Sequence, residues 1–286
     1  MSLARVLLSS AVTLTHQFAV DEALTDAAGN VTVAVKRLDG TDAAGTFAGN
    51  ATHTTQGTYT WALSPSAVLD TWSVDWTGTF GGVPVTARDY VEIVGGFYFG
   101  IGEARTELQL AASITAATIA GKRIAVEQEC EDMTQRVFVP RFRRVRLSGN
   151  GTPSLGTPDR YLRSVRAASV AGVALAGTDL TALSVTNDGR IVRPGAVFWP
   201  AGAGNVIVEY EVGHDYPPDN IRTAAMTRLR SLIQRPKSGV PDRAISYTMP
   251  DGGSYRVSTP ARQRTGIPDV DGVYDLYYRP KRAVIA

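Results

Sequence analysis

Residues Ser113–Leu147 read SITAATIAGKRIAVEQECEDMTQRVFVPRFRRVRL, and the reading of this stretch decides how the rest of the chain is parsed. Ser113 can cap a helix by accepting a hydrogen bond from an otherwise unpaired backbone N–H. Ile119, Val126, Cys130, Met133 and Val137 then recur at helical spacing, with Ile114 and Ala117 extending the same apolar side. Lys122, Arg123, Glu127, Glu129, Glu131 and Asp132 fall mainly off that stripe. The pattern changes at Val137. Val137-Phe-Val-Pro-Arg-Phe-Arg-Arg-Val-Arg-Leu147 is β-branched and aromatic, and Pro140 would break a helix. The stretch predicts a long helix over 113–136 that runs into an arginine-studded strand over 137–147.

Composition sets the frame around it. The 286 residues suggest about two domains. A 44% hydrophobic and 20% charged content suits a soluble globular chain. No apolar run approaches the ~18 residues that would span a bilayer, and the opening residues carry too short an apolar core for a signal peptide. The lone cysteine, Cys130, is read as a buried structural thiol, with a nucleophile as the alternative. Charge is split unevenly. Residues 1–95 hold 4 basic and 9 acidic side chains, and residues 96–286 hold 25 and 18. All but four of the 29 basic residues are arginine. The plain reading is genome composition. The sharper one is a second half that faces phosphates or carboxylates, which suit the planar guanidinium.

Taken in order, residues 1–95 show short alternating strands at Val12–Thr15, Val31–Val35, Gly57–Leu63, Thr71–Trp76, Val83–Thr86 and Tyr90–Val94, after a first strand near the start. Ala28-Gly-Asn30, Asp39-Gly40, Gly49-Asn50 and Gly81-Gly82 separate them as turns. The pattern is that of an immunoglobulin-type β-sandwich without a disulfide. Tyr59, Trp61, Trp72 and Trp76 are expected in or near its core, with carbohydrate stacking as the alternative. His16 and His53 have no partner at metal-ligand spacing. Gly95-Gly96 reads as a hinge, followed by a short helix from Ile101. Gly121 is either a weak point in the long helix or a close-packing point. Strands are expected at 161–170, 173–176, 183–186, 190–193 and 205–212. Tyr216-Pro-Pro-Asp219 opens a second helix with Ile221, Ala224, Ala225, Leu229, Leu232 and Ile233 on its apolar side. The expected fold class is therefore α+β multidomain. It has a sandwich at 1–95 and a helical domain at 96–236 with a β insert at about 138–212. An extended arm follows at 237–286, carrying Val270, Val273, Tyr274 and Tyr277 at helical spacing.

Chemistry is sparse. A catalytic site needs a convergent base, nucleophile or metal. His214-Asp215 is the one conceivable base in the second half, and no GxSxG context accompanies it. Glu127 and Glu131 share a helix face and could hold a divalent ion, but acidic helix faces are commonly solubilising. No phosphate-binding glycine loop stands at a strand–helix junction. No catalytic residue, metal or cofactor is expected. The strand Arg136–Arg146 is the strongest charge feature. Alternation puts Arg141 and Arg143 on one face and Arg144 and Arg146 on the other, so the strand should be an edge, a rim or an interface. Its arginines either guard an edge in solvent, meet phosphates without sequence preference, or bridge to a neighbouring subunit.

The layout of residues 97–286 resembles the head–tail connector (adaptor) proteins of long-tailed bacteriophages. The likeness lies in Glu103-Ala-Arg, the long helix running into Arg136-Val-Phe-Val-Pro-Arg, and Tyr161-Leu-Arg-Ser-Val in the insert. It continues in Val206-Ile-Val-Glu-Tyr-Glu-Val-Gly-His, in Pro217-Pro-Asp-Asn-Ile-Arg-Thr-Ala-Ala, and in the closing Thr265-Gly-Ile-Pro-Asp-Val-Asp. The sandwich departs from the minimal connector and resembles immunoglobulin-like modules that phage structural proteins carry as additions. The resemblance implies a structural virion protein, made in the bacterial cytoplasm and placed at the neck. It would form a homo-oligomeric ring, commonly of twelve subunits. Its partners would be the portal protein and a tail-side connector or terminator protein, with double-stranded DNA passing through the ring and no membrane. On this reading Val270, Val273, Tyr274 and Tyr277 contact the portal or a neighbouring subunit. Arg141, Arg143, Arg144 and Arg146 face the DNA channel or bridge subunits. Two other classes stay open: a carbohydrate- or receptor-binding surface module built on the sandwich, and a hydrolase built on His214.

Overall fold

The computed structural model describes residues 3–43, 48–195, 197–234, 246–248, 254–256 and 265–279. Ten strands come first: β1 (Leu3–Leu7), β2 (Val12–Gln17), β3 (Ala19–Val20), β4 (Ala23–Leu24), β5 (Thr32–Arg37), β6 (Ala48–Asn50), β7 (Thr52–Thr55), β8 (Thr58–Leu63), β9 (Asp70–Phe80) and β10 (Val83–Val94). Helices α1 (Ile101–Glu107) and α2 (Ala116–Thr134) follow. Then come β11 (Arg141–Gly149), β12 (Ser154–Gly156), β13 (Leu162–Val170), β14 (Val173–Ala174), α3 (Gly177–Thr181), β15 (Ser184–Thr186), β16 (Arg190–Val192) and β17 (Gly202–Val212). The chain continues with α4 (Asp219–Gln234), β18 (Ser246–Thr248), β19 (Ser254–Arg256) and α5 (Pro268–Tyr277). The fold is α+β, and it divides into two compact units.

The first unit holds the residues up to Gly96 together with Val139–Gly213. In its N-terminal part, a sheet ordered β1-β10-β9-β5-β6 and a sheet ordered β2-β8-β7 enclose one core. Strand alternation explains the core: Trp72, Val74 and Trp76 point inward at period two along β9, and each is at least 97% buried. The expected strands at 83–86 and 90–94 are one strand, β10, paired with β9 from Val83↔Phe80 to Ile93↔Asp70. Gly81 and Gly82 turn the hairpin with φ of +56° and +83°, as a two-residue turn of the I′ kind requires. β1 runs parallel to the last five residues of β10.

The rest of this unit is a four-stranded sheet ordered β11-β17-β13-β14 and a three-stranded sheet ordered β12-β16-β15. β11 is an edge strand, one of the three placements (edge, rim or interface) that its two-faced charge pattern allows. It begins at Arg141, not at Val137. Residues 136–140 leave the helix in irregular, largely buried conformation, and Pro140 has no N–H to give a ladder. The insert lies with the N-terminal strands in one unit rather than with the helices.

The second unit holds Phe97–Phe138 and the described residues from His214 onward. α2 is capped by Thr115, whose hydroxyl accepts from the Thr118 N–H at 3.1 Å, so Ser113 is not the cap. Gln135, with φ +55°, ends the helix. Ile119, Val126 and Cys130 are fully buried, whereas Met133 lies half-exposed off the core. Gly121 has nothing within 4 Å of where a Cβ would stand, so it is a weak point and not a packing contact. α4 buries Ile221, Ala224, Ala225 and Leu229 as its spacing predicts, and also Arg228. α5 packs on both α2 and α4. The hairpin β18–β19 pairs Ser246↔Arg256 to Thr248↔Ser254. Pro241, Pro250, Asp251-Gly-Gly, Pro260 and Pro280, on which the expectation of an extended arm partly rested, lie outside the described residues. No helix among the described residues is long and apolar enough to cross a membrane.

Candidate functional site

Two features carry the sequence-derived site residues: the arginine strand β11 and the terminal helix α5. On β11, Arg141 is fully buried. Its Nε lies 3.7 Å from Glu92 Oε1 on β10, and its guanidinium donates to the Gly96 carbonyl at 3.2 Å. Arg143 approaches the same Glu92 oxygen at 3.4 Å, and Arg5 on β1 donates to Glu92 Oε2 at 2.9 Å. Three guanidinium groups thus surround one buried carboxylate. Burial alone would raise the pKa of Glu92, but Arg141, Arg5 and Arg143 outweigh it and hold the group below its ordinary value.

The other face of β11 meets a second cluster. Arg144 donates to Glu209 on β17 and to Asp39, each at 2.8 Å. Arg37 on β5 bridges Asp70 at 3.0 Å and Glu209 at 3.2 Å. Burial disfavours the charge on Arg37, yet Asp70 and Glu209 together raise its pKa. The Asp39 carboxyl is held down to about 2, first by the Thr41 hydroxyl; burial opposes this, and the Thr41 N–H and Arg144 add to the lowering. Arg166 adds a bond to the Leu69 carbonyl and stacks over Phe142 at 5.0 Å. Of the four arginines singled out, Arg141, Arg143 and Arg144 are therefore committed to carboxylates within their own unit. Arg146 is exposed. The uneven charge of residues 1–95 and 96–286 is the one sequence signal that bears on this, and it suggests genome composition or an outward-facing basic surface rather than internal pairing. Arg141 and Arg143 with Glu92, and Arg144 with Asp39, join the two parts, whereas Arg5–Glu92, Arg37–Asp70 and Arg144–Glu209 lie within one part.

In the second unit, α5 is docked rather than extended. Val270 and Tyr274 are 99% buried, and Val273 and Tyr277 are half-buried. The Tyr277 hydroxyl donates to Asn220 Oδ1 at 2.9 Å, and its ring meets Phe138 edge-on at 5.4 Å. Burial, then Cys130 and Glu129, pushes the pKa of the Tyr274 hydroxyl up. Arg228 of α4 fixes the approach to the helix. It grips Glu129 of α2 with two hydrogen bonds of 2.7 and 2.8 Å, and donates to the Thr265 carbonyl at 3.0 Å. Asp271 Oδ1 in turn accepts from the Thr265 N–H at 3.0 Å and hydroxyl at 2.9 Å. The sequence run Thr265-Gly-Ile-Pro-Asp-Val-Asp271 is thus a folded start to α5, which periodicity alone did not reveal.

The residues weighed for catalysis have structural partners. Glu127 is fully buried and accepts from the Tyr98 N–H at 2.8 Å. Arg123 donates to the Phe99 carbonyl at 3.1 Å and lies 3.4 Å from the Phe97 ring centroid. Cys130 is fully buried, and burial pushes its thiol pKa up. His214 stacks on Phe138 at 6.5 Å. Among the described residues no group of three or more His, Cys, Asp or Glu could hold a metal ion. An open groove of about 460 Å³ runs between α2 and α4, lined by Ala125, Glu129, Asp132, Met133, Arg228 and Leu232. His16 and His53 are not alone: His16 pairs with Asp89 at 2.7 Å and His53 with Asp26 at 2.9 Å, partners too distant in sequence to be seen by spacing. Trp72, Trp76 and Tyr59 are buried and Trp61 is half-buried, so no fully exposed indole stands ready to stack on a sugar.

No family model matches this sequence, and no curated protein matches it. Solved structures that match in part include a chain described as "Neck of empty GTA particle computed with C6 symmetry". It is 16% identical, with a TM-score of 0.45, over 66% of this chain and 93% of that one.

Proposed function

We propose that this chain is a structural protein of a phage-type virion: a head–tail connector that closes into a ring between the portal and a tail-side connector or terminator protein. DNA would pass through the ring without being read. The observation that carries the proposal is the order of elements. A short helix α1 precedes a long helix α2, which runs through Arg136–Pro140 into the edge strand β11. The return strand β17 feeds α4 across Gly213-His-Asp-Tyr-Pro-Pro, and α5 closes the chain on the α2–α4 pair. These are the segments in which the sequence resembles connector proteins.

Finer parts of the reading rest on particular residues. Two sheets wrapped around Trp72 and Trp76 support an immunoglobulin-like module at residues 1–95. The DNA-facing role falls to Arg146, because Arg141, Arg143 and Arg144 have carboxylates to neutralise. Contact with the portal or a neighbour falls to Val273 and Tyr277, the two members of the α5 set with exposed surface. The internal duties of Glu127, Glu129, Arg228 and Cys130 support a role without catalysis.

A mass measurement tests the proposal. The purified protein is measured alone and then mixed with the portal of the same virus, by light scattering and electron microscopy. A closed ring on the portal is expected. A protein that stays monomeric and does not bind the portal would leave the surface-module reading ahead, and glycan binding by the full chain would be measured next.

A further inference from the structure

The helical unit exposes side chains of different chemistry towards the two ends of α4. α4 and α2 run antiparallel. Arg228 meets Glu129, and Leu232, one turn further along α4, lines the same groove as Ala125, one turn back along α2. At the start of α4 stands an aromatic and acidic patch. Tyr216 is 84% exposed and Leu276 is 67% exposed. Tyr277 joins them, held at α4 by its hydrogen bond to Asn220. Asp215, Asp219 and Asp275 are exposed around the same two helix ends, with Arg279 exposed one turn past Asp275, so carboxylates outnumber the cation there. Towards the other end of α4 the exposed charges change sign: Arg230 on α4 and Lys122 on α2, which lies one turn beyond Ala125 in the direction α4 is travelling. Asn220 and Arg230 are about 15 Å apart along the helix axis.

We infer that the aromatic–acidic patch formed by Tyr216, Asp219, Asp275, Leu276 and Tyr277 binds the Lys122/Arg230 end of a second copy of this chain. Three considerations select that occupant. Tyrosines beside an exposed leucine are the composition of an interface centre, since each buries a large area while fixing only two side-chain torsions. Carboxylates at one end and cations at the other make the body complementary to a copy of itself, head to tail. Two unlike faces on one body are what a heterologous contact needs, and such a contact repeated around an axis closes into a ring. The inference deepens the ring reading by naming which faces meet.

The test uses the full chain and two charge-reversed variants, D219R/D275R and K122E/R230E, measured by light scattering against concentration and salt. The first variant is basic at both ends and the second is acidic at both ends. The wild type self-associates, and each variant alone associates about tenfold or more weakly. An equimolar mixture of the two variants restores association, because every contact again joins opposite charges. Restoration also shows that both variants are folded. A wild type that is monomeric at its highest soluble concentration overturns the inference, as does a variant that associates like the wild type or a mixture that fails to recover. The ring reading is scored separately. Closed rings that ignore both variants refute this contact and keep the ring. Restored association into open chains or dimers keeps the contact and refutes the ring.

Discussion

Arg141 Nε lies 3.7 Å from Glu92 Oε1, and neither side chain is more than 6% exposed. With Arg5 and Arg143 beside them, these residues join the last strand of the N-terminal sheet pair to the first strand of the insert. Charges so far from water are tolerated only when they are paired and hydrogen-bonded, and removing one partner strands the others. Glu92→Gln should therefore cost about 3–5 kcal/mol, read as a shift in the urea midpoint. A loss below about 1 kcal/mol would mean that water reaches the cluster and screens it.

Acid should weaken the same region. Asp39 titrates at about 2, and Glu92 is held below its ordinary value. Both folded values lie below those of an unfolded chain, about 3.9 for Asp and 4.3 for Glu. Their stabilisation is thus complete above about pH 5 and is lost as pH falls through the folded values. Denaturant midpoints measured from neutral pH downward should be flat and then fall. Asp39→Asn should be less stable than the wild type at neutral pH and should converge on it near pH 2. A constant gap across the whole range would count against the assignment.

Two glycines should respond in opposite ways to alanine. A Cβ on Gly213 would stand 2.2 Å from the Val139 carbonyl oxygen, and its φ is +111°. Gly213→Ala should cost more than about 2 kcal/mol. Gly121 sits in a helix with open space around it, so Gly121→Ala should stabilise by about 0.5–1 kcal/mol. Thermal melts of the two variants decide both.

Arg228 links α2, α4 and the start of α5 through Glu129 and Thr265. Arg228→Ala should release α5. Amide exchange over residues 268–277 should quicken far more than exchange in β9 or β10, with about 3 kcal/mol lost from the local opening energy. Equal acceleration in both regions would show that the link is global rather than local.

Cys130 should be inert while the protein is folded. Its thiol is buried, and burial raises its pKa, so little thiolate is available. Alkylation in native buffer should proceed only at the rate of opening and become rapid in denaturant. Fast labelling of the native protein would contradict the helix packing around Ile119, Val126 and Tyr274.

Much of this molecule is set by local pattern. Alternation placed strands at 161–170, 183–186, 190–193 and 205–212, within three residues of β13, β15, β16 and β17, and helical spacing placed α2 and α4, because each period follows from the geometry of a single element. The buried fate of Cys130, the turn at Gly81-Gly82 and the proline-led start of α4 are likewise local. So is the two-faced charge of β11, which allowed an edge, a rim or an interface.

Tertiary structure decided where the charges went. Arg141, Arg143 and Arg144 were visible as a cluster, but their carboxylates, Glu92, Asp39 and Glu209, lie about 50 to 105 positions away in sequence and are brought to them only by packing. The same holds for His16 with Asp89, and for Arg228 with Glu129 and Thr265. Periodicity reports which face of an element is apolar. It does not report which element will cover that face, and so it could not show that Val270 and Tyr274 are covered by the chain itself. Pairing of distant charges depends on the whole fold, because a guanidinium is held in a dry site only where packing has already delivered a carboxylate.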